Sequence, residues 1–241
     1  MLSLQPQLVL LPGLAADDRM WRGVLPLLPA ALRPTVATAH QDASLHSLQD
    51  IAAQLLARHA GPLVLAGASM GGMVAMEAAR QAPGRLAGLA LLGTTARPET
   101  AEMRALRESA IALFEQGRVR EVIEPNVALA FHPANAARPE LVQAYLDFVL
   151  DAGAAQLIRQ NRAVIHRPDA RLHLPRVACR TLVVCGEADQ LTPPECSREL
   201  AALVHGAELH VLPDCGHMLT MEQPEAVGQL LLRWLDALQA G

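Results

Sequence analysis

The chain contains 241 residues, of which 51% are hydrophobic and only 2% aromatic, and its formal net charge at pH 7 is −4. This length suits one α/β domain, alone or with an insertion, and is sufficient to bury a full core. The 20 basic residues are all arginines and form no basic cluster, which argues against nucleic acids and acidic membrane surfaces as partners. No run reaches ~18 uninterrupted apolar residues, so no membrane-spanning helix is expected.

Residues 1–6 lack the basic region of a signal peptide and lead directly into an apolar segment. The four cysteines, at positions 179, 185, 196 and 215, fit no zinc-binding spacing. Without a secretory signal, they are expected to be reduced thiols rather than disulfides. These features predict a cytoplasmic protein.

Short apolar segments alternate with helical patterns along most of the chain. Ser47 resembles an N-cap for a helix that continues to residue 59, and residues 224–240 form an amphipathic C-terminal helix. The alternation predicts an α/β fold with a mostly parallel, doubly wound sheet. The strands are predicted at about 7–11, 35–39, 63–67, 88–93, 180–185 and 208–212.

The stretch 98–175 interrupts this alternation. Its apolar residues recur at helical spacing, and prolines separate the resulting patterns. Four helices are predicted here, at about 99–116, 118–130, 138–151 and 153–166. The chain therefore divides into a core domain, residues 1–97 and 176–241, and an inserted helical domain, residues 98–175.

Residues 67–71 read Gly-Ala-Ser-Met-Gly and join a predicted buried strand to a helix-forming stretch. A serine on such a sharp turn has its hydroxyl exposed. Gly67 and Gly71 leave room for the turn, because a Cβ at either position would crowd the neighbouring strand or helix. The helix directs its first amides, including the N–H of Met70, at the group that Ser69 attacks. The same pattern also occurs in ordinary glycine-rich turns, so other residues must show whether Ser69 is catalytic.

Two further polar side chains follow predicted strands. Asp189 comes just after the strand at 180–185, and His217 follows the strand at 208–212 on a short loop. Ligands of α/β folds bind at these carboxyl ends of the strands. Ser69, Asp189 and His217 therefore form a candidate catalytic triad. Cys215 lies near His217 but lacks the strand–turn–helix setting of Ser69, so a serine nucleophile is expected.

Four stretches of the chain resemble the α/β-hydrolase superfamily, in its serine esterase and lactonase branch. They are LLPGLAADDRMW, GASMGG, VVCGEADQLTPPE and LPDCGHMLTMEQPE, and they span nearly the whole chain outside about 97–175. The resemblance implies that the loop after the first strand supplies an oxyanion-hole N–H from Leu14, paired with the N–H of Met70. It also implies that the helical insertion is a cap over the active site.

Two departures from the family pattern leave the subfamily open. Many relatives have His-Gly before the oxyanion residue, whereas this chain has Pro12-Gly13. Many also carry an aspartate and a glycine-rich turn after the second strand, which Ala39–Ser44 replaces. Neither departure removes a triad member. Some relatives place the acid after the strand that precedes the cap, where Glu99 lies, but Asp189 has the better setting.

The resemblance implies a serine hydrolase that cleaves small to medium carboxylic esters or lactones through an acyl-enzyme. No metal or organic cofactor is needed for this chemistry, and the expected partner is a small-molecule ester, with the protein a monomer or a homodimer. Thioesterase, enol-lactonase, carbon–carbon bond hydrolase and cofactor-free perhydrolase remain alternatives on the same triad, as does a small-molecule receptor with an idle triad. The expected substrate pocket consists of Trp21, Phe131, Phe148, Ile165 and Met218.

Overall fold

A parallel β-sheet organises the residues that the computed structural model describes, 6–32 and 34–239. Its strands are β1 (Gln7–Leu11), β2 (Thr35–Val36), β3 (Leu63–Ala68), β4 (Leu86–Leu92), β5 (Arg180–Gly186) and β6 (Glu208–Leu212). They lie in the order β2-β1-β3-β4-β5-β6, and every neighbouring pair is parallel. Three expected boundaries lie outside the described residues. They are residues 1 and 241, the expected ends of the core domain, and residue 240, the expected end of the last helix.

Most of the longer helices fall close to the positions that the sequence predicts, whereas the short helices at Pro133–Ala136 and Leu219–Glu222 were not expected. Ser47 caps the first one, where its side chain accepts a hydrogen bond from the N–H of Asp50 at 3.0 Å. The α-helices in the described part of the chain are α1 (Leu48–Arg58), α2 (Met70–Gln81), α3 (Ala101–Glu115), α4 (Val119–Ala130), α5 (Pro133–Ala136), α6 (Pro139–Ile165), α7 (Pro194–Leu203), α8 (Leu219–Glu222) and α9 (Pro224–Gln239).

Apolar side chains of the central strands alternate between two clusters, one on each face of the sheet. On one face, α1, α2 and α7 cover strand residues such as Leu65 and Leu91. On the other face, α9 and side chains of α3, α4 and α6 pack in the cluster that includes Val64 and Leu92. Both faces of the sheet are therefore buried, which explains the continuous apolar sequences of β1, β3, β4 and β5.

The strand predicted at 35–39 is shorter than expected. It ends at Val36, and a 3-10 turn occupies Ala39–Gln41. The ring of His40 lies buried in this turn and bonds to the carbonyl of Ala16 at 2.8 Å. A buried polar ring requires such a partner, and the turn places the ring where it finds one.

Helix α6 is 27 residues long and apolar enough, by length and composition, to cross a membrane. Gly153, however, has φ 73° and ψ 169°, which breaks the helical geometry. The two parts, 139–152 and 154–165, match the two helices predicted from the sequence. Each is shorter than the ~20 residues that span a bilayer.

Helices α3 to α6 occupy the chain between β4 and β5, which we call the helical segment (residues 98–175). A buried ion cluster lies where this segment leaves and rejoins the core. Glu99, whose side chain is 3% exposed, contacts Arg107 at 2.7 Å and Arg167 at 2.7 Å. Burial by itself would raise the pKa of Glu99, but hydrogen bonds from Arg167 and Arg107 outweigh it and hold the pKa below its usual range. The cluster thus ties the two ends of the segment together in ionised form.

We expect Glu99→Gln to lower the free energy of unfolding by about 3–5 kcal/mol at pH 7, because it leaves two arginines without their buried partner. The loss should appear as a lower urea midpoint. The Glu99 contribution should be fully present above the ordinary carboxyl pKa of about 4.3 and should disappear as the pH falls through the lower folded-state value.

The matched control is Glu195→Gln, which removes an exposed ion pair with Arg198 at 2.7 Å. Exposed pairs contribute little to stability, so this variant should unfold at the wild-type midpoint. Equal midpoints for Glu99→Gln and the wild type would contradict the structural role of the cluster.

Candidate active site

Ser69 lies alone between β3, which ends at Ala68, and α2, which begins at Met70. Its backbone has φ 52° and ψ −119°, a conformation that non-glycine residues rarely adopt. Two hydrogen bonds maintain it: the Ser69 N–H donates to the carbonyl of Leu92 at 2.9 Å, and the Thr94 hydroxyl donates to the carbonyl of Ser69 at 2.8 Å. The surrounding structure therefore holds a strained turn with the serine at its tip.

The glycines on either side of Ser69 make this turn possible. A Cβ on Gly67 would overlap the backbone of Gly71, and a Cβ on Gly71 would overlap the carbonyl oxygen of Leu11. A Cβ on Gly72 would lie 2.7 Å from the side chain of Thr94. The start of α2 therefore packs directly against β1 and β3, as the glycine spacing in the sequence predicts.

Ser69, His217 and Asp189 form a continuous chain of hydrogen bonds. The Oγ of Ser69 lies 2.9 Å from Nε2 of His217. Nδ1 of His217 lies 2.9 Å from Oδ2 and 3.0 Å from Oδ1 of Asp189. Since a carboxylate only accepts, the Nδ1 position carries the proton and leaves Nε2 free to accept from the serine. Asp189 and His217 are buried, whereas Ser69 is half-buried.

Asp189 accepts three further hydrogen bonds from the loop after β5. The N–H groups of Leu191 and Thr192 donate to Oδ1, both at 2.9 Å, and the Thr192 hydroxyl donates to Oδ2 at 2.8 Å. Burial by itself would raise the pKa of Asp189, but the adjacent His217 and the hydrogen bonds from His217 and Thr192 outweigh it, and the pKa lies below its usual range. The carboxylate is therefore ionised and fixed in orientation. Sequence reasoning missed Thr192, although a loop aspartate often accepts from the backbone two residues on, as Asp189 does from Leu191.

The two candidate oxyanion donors are backbone N–H groups near Ser69. Leu14 follows Gly13, and a Cβ built on Gly13 would lie 3.4 Å from the Cβ of Ser69, so this loop packs against the serine. Met70 is the first residue of α2, where the N–H has no partner within the helix. Within the described residues, neither N–H reaches a hydrogen-bond acceptor. Both therefore stay candidate donors for an oxyanion hole.

The loop that carries His217 is attached to the helical segment. The N–H groups of His217 and Met218 both donate to the carbonyl of Ala130 at 3.0 Å. Buried Glu222 accepts from the N–H of Gly216 at 3.0 Å and from the N–H of His132 at 2.9 Å. Sequence reasoning did not identify Glu222, because its role depends on two segments that are distant in the chain. These contacts place the end of α4 beside His217.

Four of the five residues expected in the substrate pocket lie in the core cluster that also contains Val64 and Leu92. Tyr145, which the sequence analysis did not single out, contacts Phe131 and Phe148 edge to face, with ring centroids 5.4 and 5.5 Å apart. Burial raises the pKa of its phenol to about 12, so the hydroxyl stays protonated at neutral pH. The four clustered residues are Trp21, Phe131, Phe148 and Met218.

Ile165 is not part of this cluster. It borders a separate cavity of about 300 Å³ between α3 and the end of α6, together with Ile111 and Arg162. The expectation that Ile165 lines the pocket with the other four is therefore not met. Helical periodicity placed Ile165 on a buried face of the segment, but it could not specify which neighbouring element that face meets.

The alternative candidates in the sequence have other roles. Glu99 is paired with two arginines and is not free to orient a histidine. Cys215 is fully buried, and burial raises the pKa of its thiol, so it is protonated. All four cysteines are free thiols. Across residues 6–32 and 34–239, no group of three or more His, Cys, Asp or Glu side chains is arranged to hold a metal ion.

Comparison with known proteins identifies the family. Residues 8–230 match the model of the Alpha/beta hydrolase family, and the chain belongs to this family. The predicted α/β-hydrolase fold and the family resemblance are thereby confirmed, and a hydrolytic function follows from this membership.

Relatives and solved structures support this assignment. The chain is 29% identical to the dihydrolipoyllysine-residue acetyltransferase component of an acetoin cleaving system from Pseudomonas putida, covering 95% of this chain but 63% of that protein. It is 28% identical to a pimeloyl-[acyl-carrier protein] methyl ester esterase from Aromatoleum aromaticum, over 94% of this chain and 97% of that protein. A thermophilic esterase structure from Thermogutta terrifontis has a TM-score of 0.87 and 28% identity, covering 97% and 90% of the two chains.

We expect Thr192→Val to lower hydrolytic turnover about tenfold with little change in KM, because Asp189 loses one of its hydrogen bonds while the backbone contacts remain. Thr192→Ser keeps the hydroxyl and serves as the control, with turnover near the wild-type value. The measurement is steady-state hydrolysis of a p-nitrophenyl ester. Identical turnover for the valine variant and the wild type would show that the hydroxyl does not help to orient Asp189.

Proposed function

We propose that the protein is a serine hydrolase that cleaves carboxylic esters or lactones through an acyl-enzyme. The observation that carries this proposal is the continuous hydrogen-bond chain from Ser69 through His217 to Asp189, which begins on a strained turn at the end of β3. A nucleophile, its base and the group that orients the base have the mutual geometry of a serine nucleophile site.

In the first step, Ser69 attacks the carbonyl carbon of the substrate while His217 takes the serine proton at Nε2. The negative charge that develops on the carbonyl oxygen is stabilised by the N–H groups of Leu14 and Met70. A donor of this kind contributes roughly 3–4 kcal/mol to the transition state. Asp189 is ionised and stabilises the imidazolium that forms next to it.

In the second half of the reaction, His217 gives the proton to the leaving alkoxide, and the acyl group stays on Ser69. Water then enters, loses a proton to His217 and attacks the acyl carbon. Collapse of the second tetrahedral intermediate releases the acid and returns the proton to Ser69. For a lactone, the alkoxide and the acid are two ends of one product molecule.

Two lines of support favour an ester-cleaving enzyme over a receptor with an idle triad. The backbone at Ser69 stays in a costly conformation, which serves a nucleophile but not a binding pocket in general. The methyl ester esterase described above is similar in sequence, and the thermophilic esterase in structure, each over nearly the whole chain. We further propose that the helical segment covers the site as a cap, since its residue Ala130 bonds to the His217 loop.

We expect Ser69→Ala and His217→Ala each to reduce p-nitrophenyl ester hydrolysis by at least about 10³-fold. The double variant should be about as active as either single variant, because the two groups act as a unit. Circular dichroism should confirm that each variant is folded. A Ser69→Ala protein with most of its activity would exclude Ser69 as the nucleophile. Binding of esters by the wild type without turnover would instead indicate a receptor.

We expect Phe148→Leu to shift the preferred acyl or alcohol size, because enlarging an apolar pocket changes discrimination by roughly 1–3 kcal/mol per methylene. Labelling of Ser69 by a small fluorophosphonate should persist. Ile165→Val is the matched control, since Ile165 borders the separate cavity, and its substrate ranking should equal that of the wild type. An ester series with the same ranking for Phe148→Leu would contradict a pocket role for the cluster.

A further inference from the structure

A buried glutamine of α6 bonds directly to the loop that carries Leu14. Gln160 is 1% exposed, and its Oε1 accepts a hydrogen bond from the N–H of Ala15 at 2.7 Å. Its Nε2 donates to the carbonyl of His40 at 2.9 Å. Because one end faces a donor and the other an acceptor, the orientation of the amide is fixed.

His40 holds the same loop from its other side. Its ring Nε2 lies 2.8 Å from the carbonyl of Ala16, which only accepts, so Nε2 carries the proton. Burial lowers the pKa of His40 and favours this neutral ring, despite the hydrogen bond to Ala16. His40 belongs to the stretch Ala39–Ser44, which departs from the pattern of many relatives. Here that stretch joins Gln160 in fixing the loop.

The loop itself needs such support. The N–H of Ala16 bonds to the carbonyl of Gly13 at 3.2 Å, and Ala15 has φ 57° while Leu14 does not have a positive φ. This is the geometry of a type II turn, in which the third position normally holds glycine. An alanine there favours the alternative turn, in which the peptide between Leu14 and Ala15 is reversed. In that turn the Ala15 N–H would point away from Gln160.

We propose that Gln160 is a positioning residue: through the N–H of Ala15 it anchors the loop in this turn, and the anchored loop presents the N–H of Leu14 at the oxyanion site. The inference rests on the proposed function, since it assigns Leu14 as an oxyanion donor. Gln160 lies in the helical segment, so this segment completes the catalytic geometry of the core as well as covering it. Its effect is on the transition state, where the oxyanion exists, and not on the binding of the neutral ester.

The test compares Gln160→Met with Asn161→Leu. Methionine approximates the length of glutamine but makes neither hydrogen bond. Asn161 is the adjacent buried amide on the same helix, yet its side chain bonds to Arg107 and to the carbonyl of Leu157, both at 2.8 Å, and none of its hydrogen bonds goes to the loop. Both changes remove buried amide contacts, so both should lower the melting temperature.

Three quantities are measured for each variant: kcat and KM for a p-nitrophenyl ester, and inhibition by an aryl trifluoromethyl ketone. Addition of the Ser69 oxygen to the ketone carbon, with transfer of the serine proton to His217, gives a tetrahedral adduct whose oxyanion needs the N–H of Leu14. Gln160→Met should lower kcat about 10- to 100-fold, leave KM nearly unchanged, and weaken ketone inhibition by the same factor. Asn161→Leu should keep all three wild-type values.

A second substitution tests whether kcat can be rescued, which is not expected if Gln160 only stabilises the fold. Glycine adopts positive φ readily, so Ala15→Gly in the Gln160→Met background should restore most of the lost kcat. Should Gln160→Met fail to fold, Gln160→Glu provides the test, because its carboxylate still accepts from Ala15. Its kcat should stay within about tenfold of the wild-type value, and a larger loss overturns the proposal.

The remaining outcomes separate the two proposals. A wild-type protein that neither hydrolyses the ester nor binds the ketone contradicts the proposed function itself. An active wild type combined with unchanged kcat in Gln160→Met contradicts only the role of Gln160. Equal kcat losses in Gln160→Met and Asn161→Leu, without rescue by glycine, likewise assign Gln160 to stability alone.

Discussion

The strained backbone of Ser69 is the constraint on which the rest of the site depends. A residue with φ 52° persists only where its neighbours leave it no alternative. Here the carbonyl of Leu92 in β4 accepts a hydrogen bond from the Ser69 N–H, and the Thr94 hydroxyl donates one to the Ser69 carbonyl. Glycines allow α2 to pack against β1 and β3. The serine hydroxyl is thereby raised above the sheet edge, where the loops after β1, β5 and β6 converge. No single element supplies this geometry, because the parallel sheet brings all of them to one edge.

Buried carboxylates have different roles in this molecule according to their partners. Asp189 faces His217 together with donors of its own loop, so its charge is stabilised without a guanidinium. Glu99 faces two arginines and closes the base of the helical segment. Glu222 accepts mainly backbone and amide N–H groups and joins the His217 loop to the turn after α4. Burial makes each of these contacts costly to break, since the group left behind has no access to water.

The helical segment is bonded to two loops beside Ser69. Ala130 and Glu222 connect it with the loop of His217, and Gln160 connects it with the loop of Leu14. Its aromatic residues Phe131, Tyr145 and Phe148 pack in the same cluster as Trp21 and Met218. The segment and the site are therefore packed together, and a substitution in either is expected to alter the packing of the other.

The sequence by itself determined the fold class, the approximate positions of the strands and of most longer helices, and the order Ser69, Asp189, His217. Each of these depends on local information: apolar periodicity, glycine spacing and the place of a polar residue after a strand. It could not show that Thr192 bonds to Asp189, that Glu222 and Gln160 bond to the loops of His217 and Leu14, that Ile165 lies outside the apolar cluster of Trp21, or that β2 ends at Val36. Those facts depend on contacts between segments distant in the chain, such as Ala15 with Gln160, and only tertiary packing brings the partners within hydrogen-bond distance.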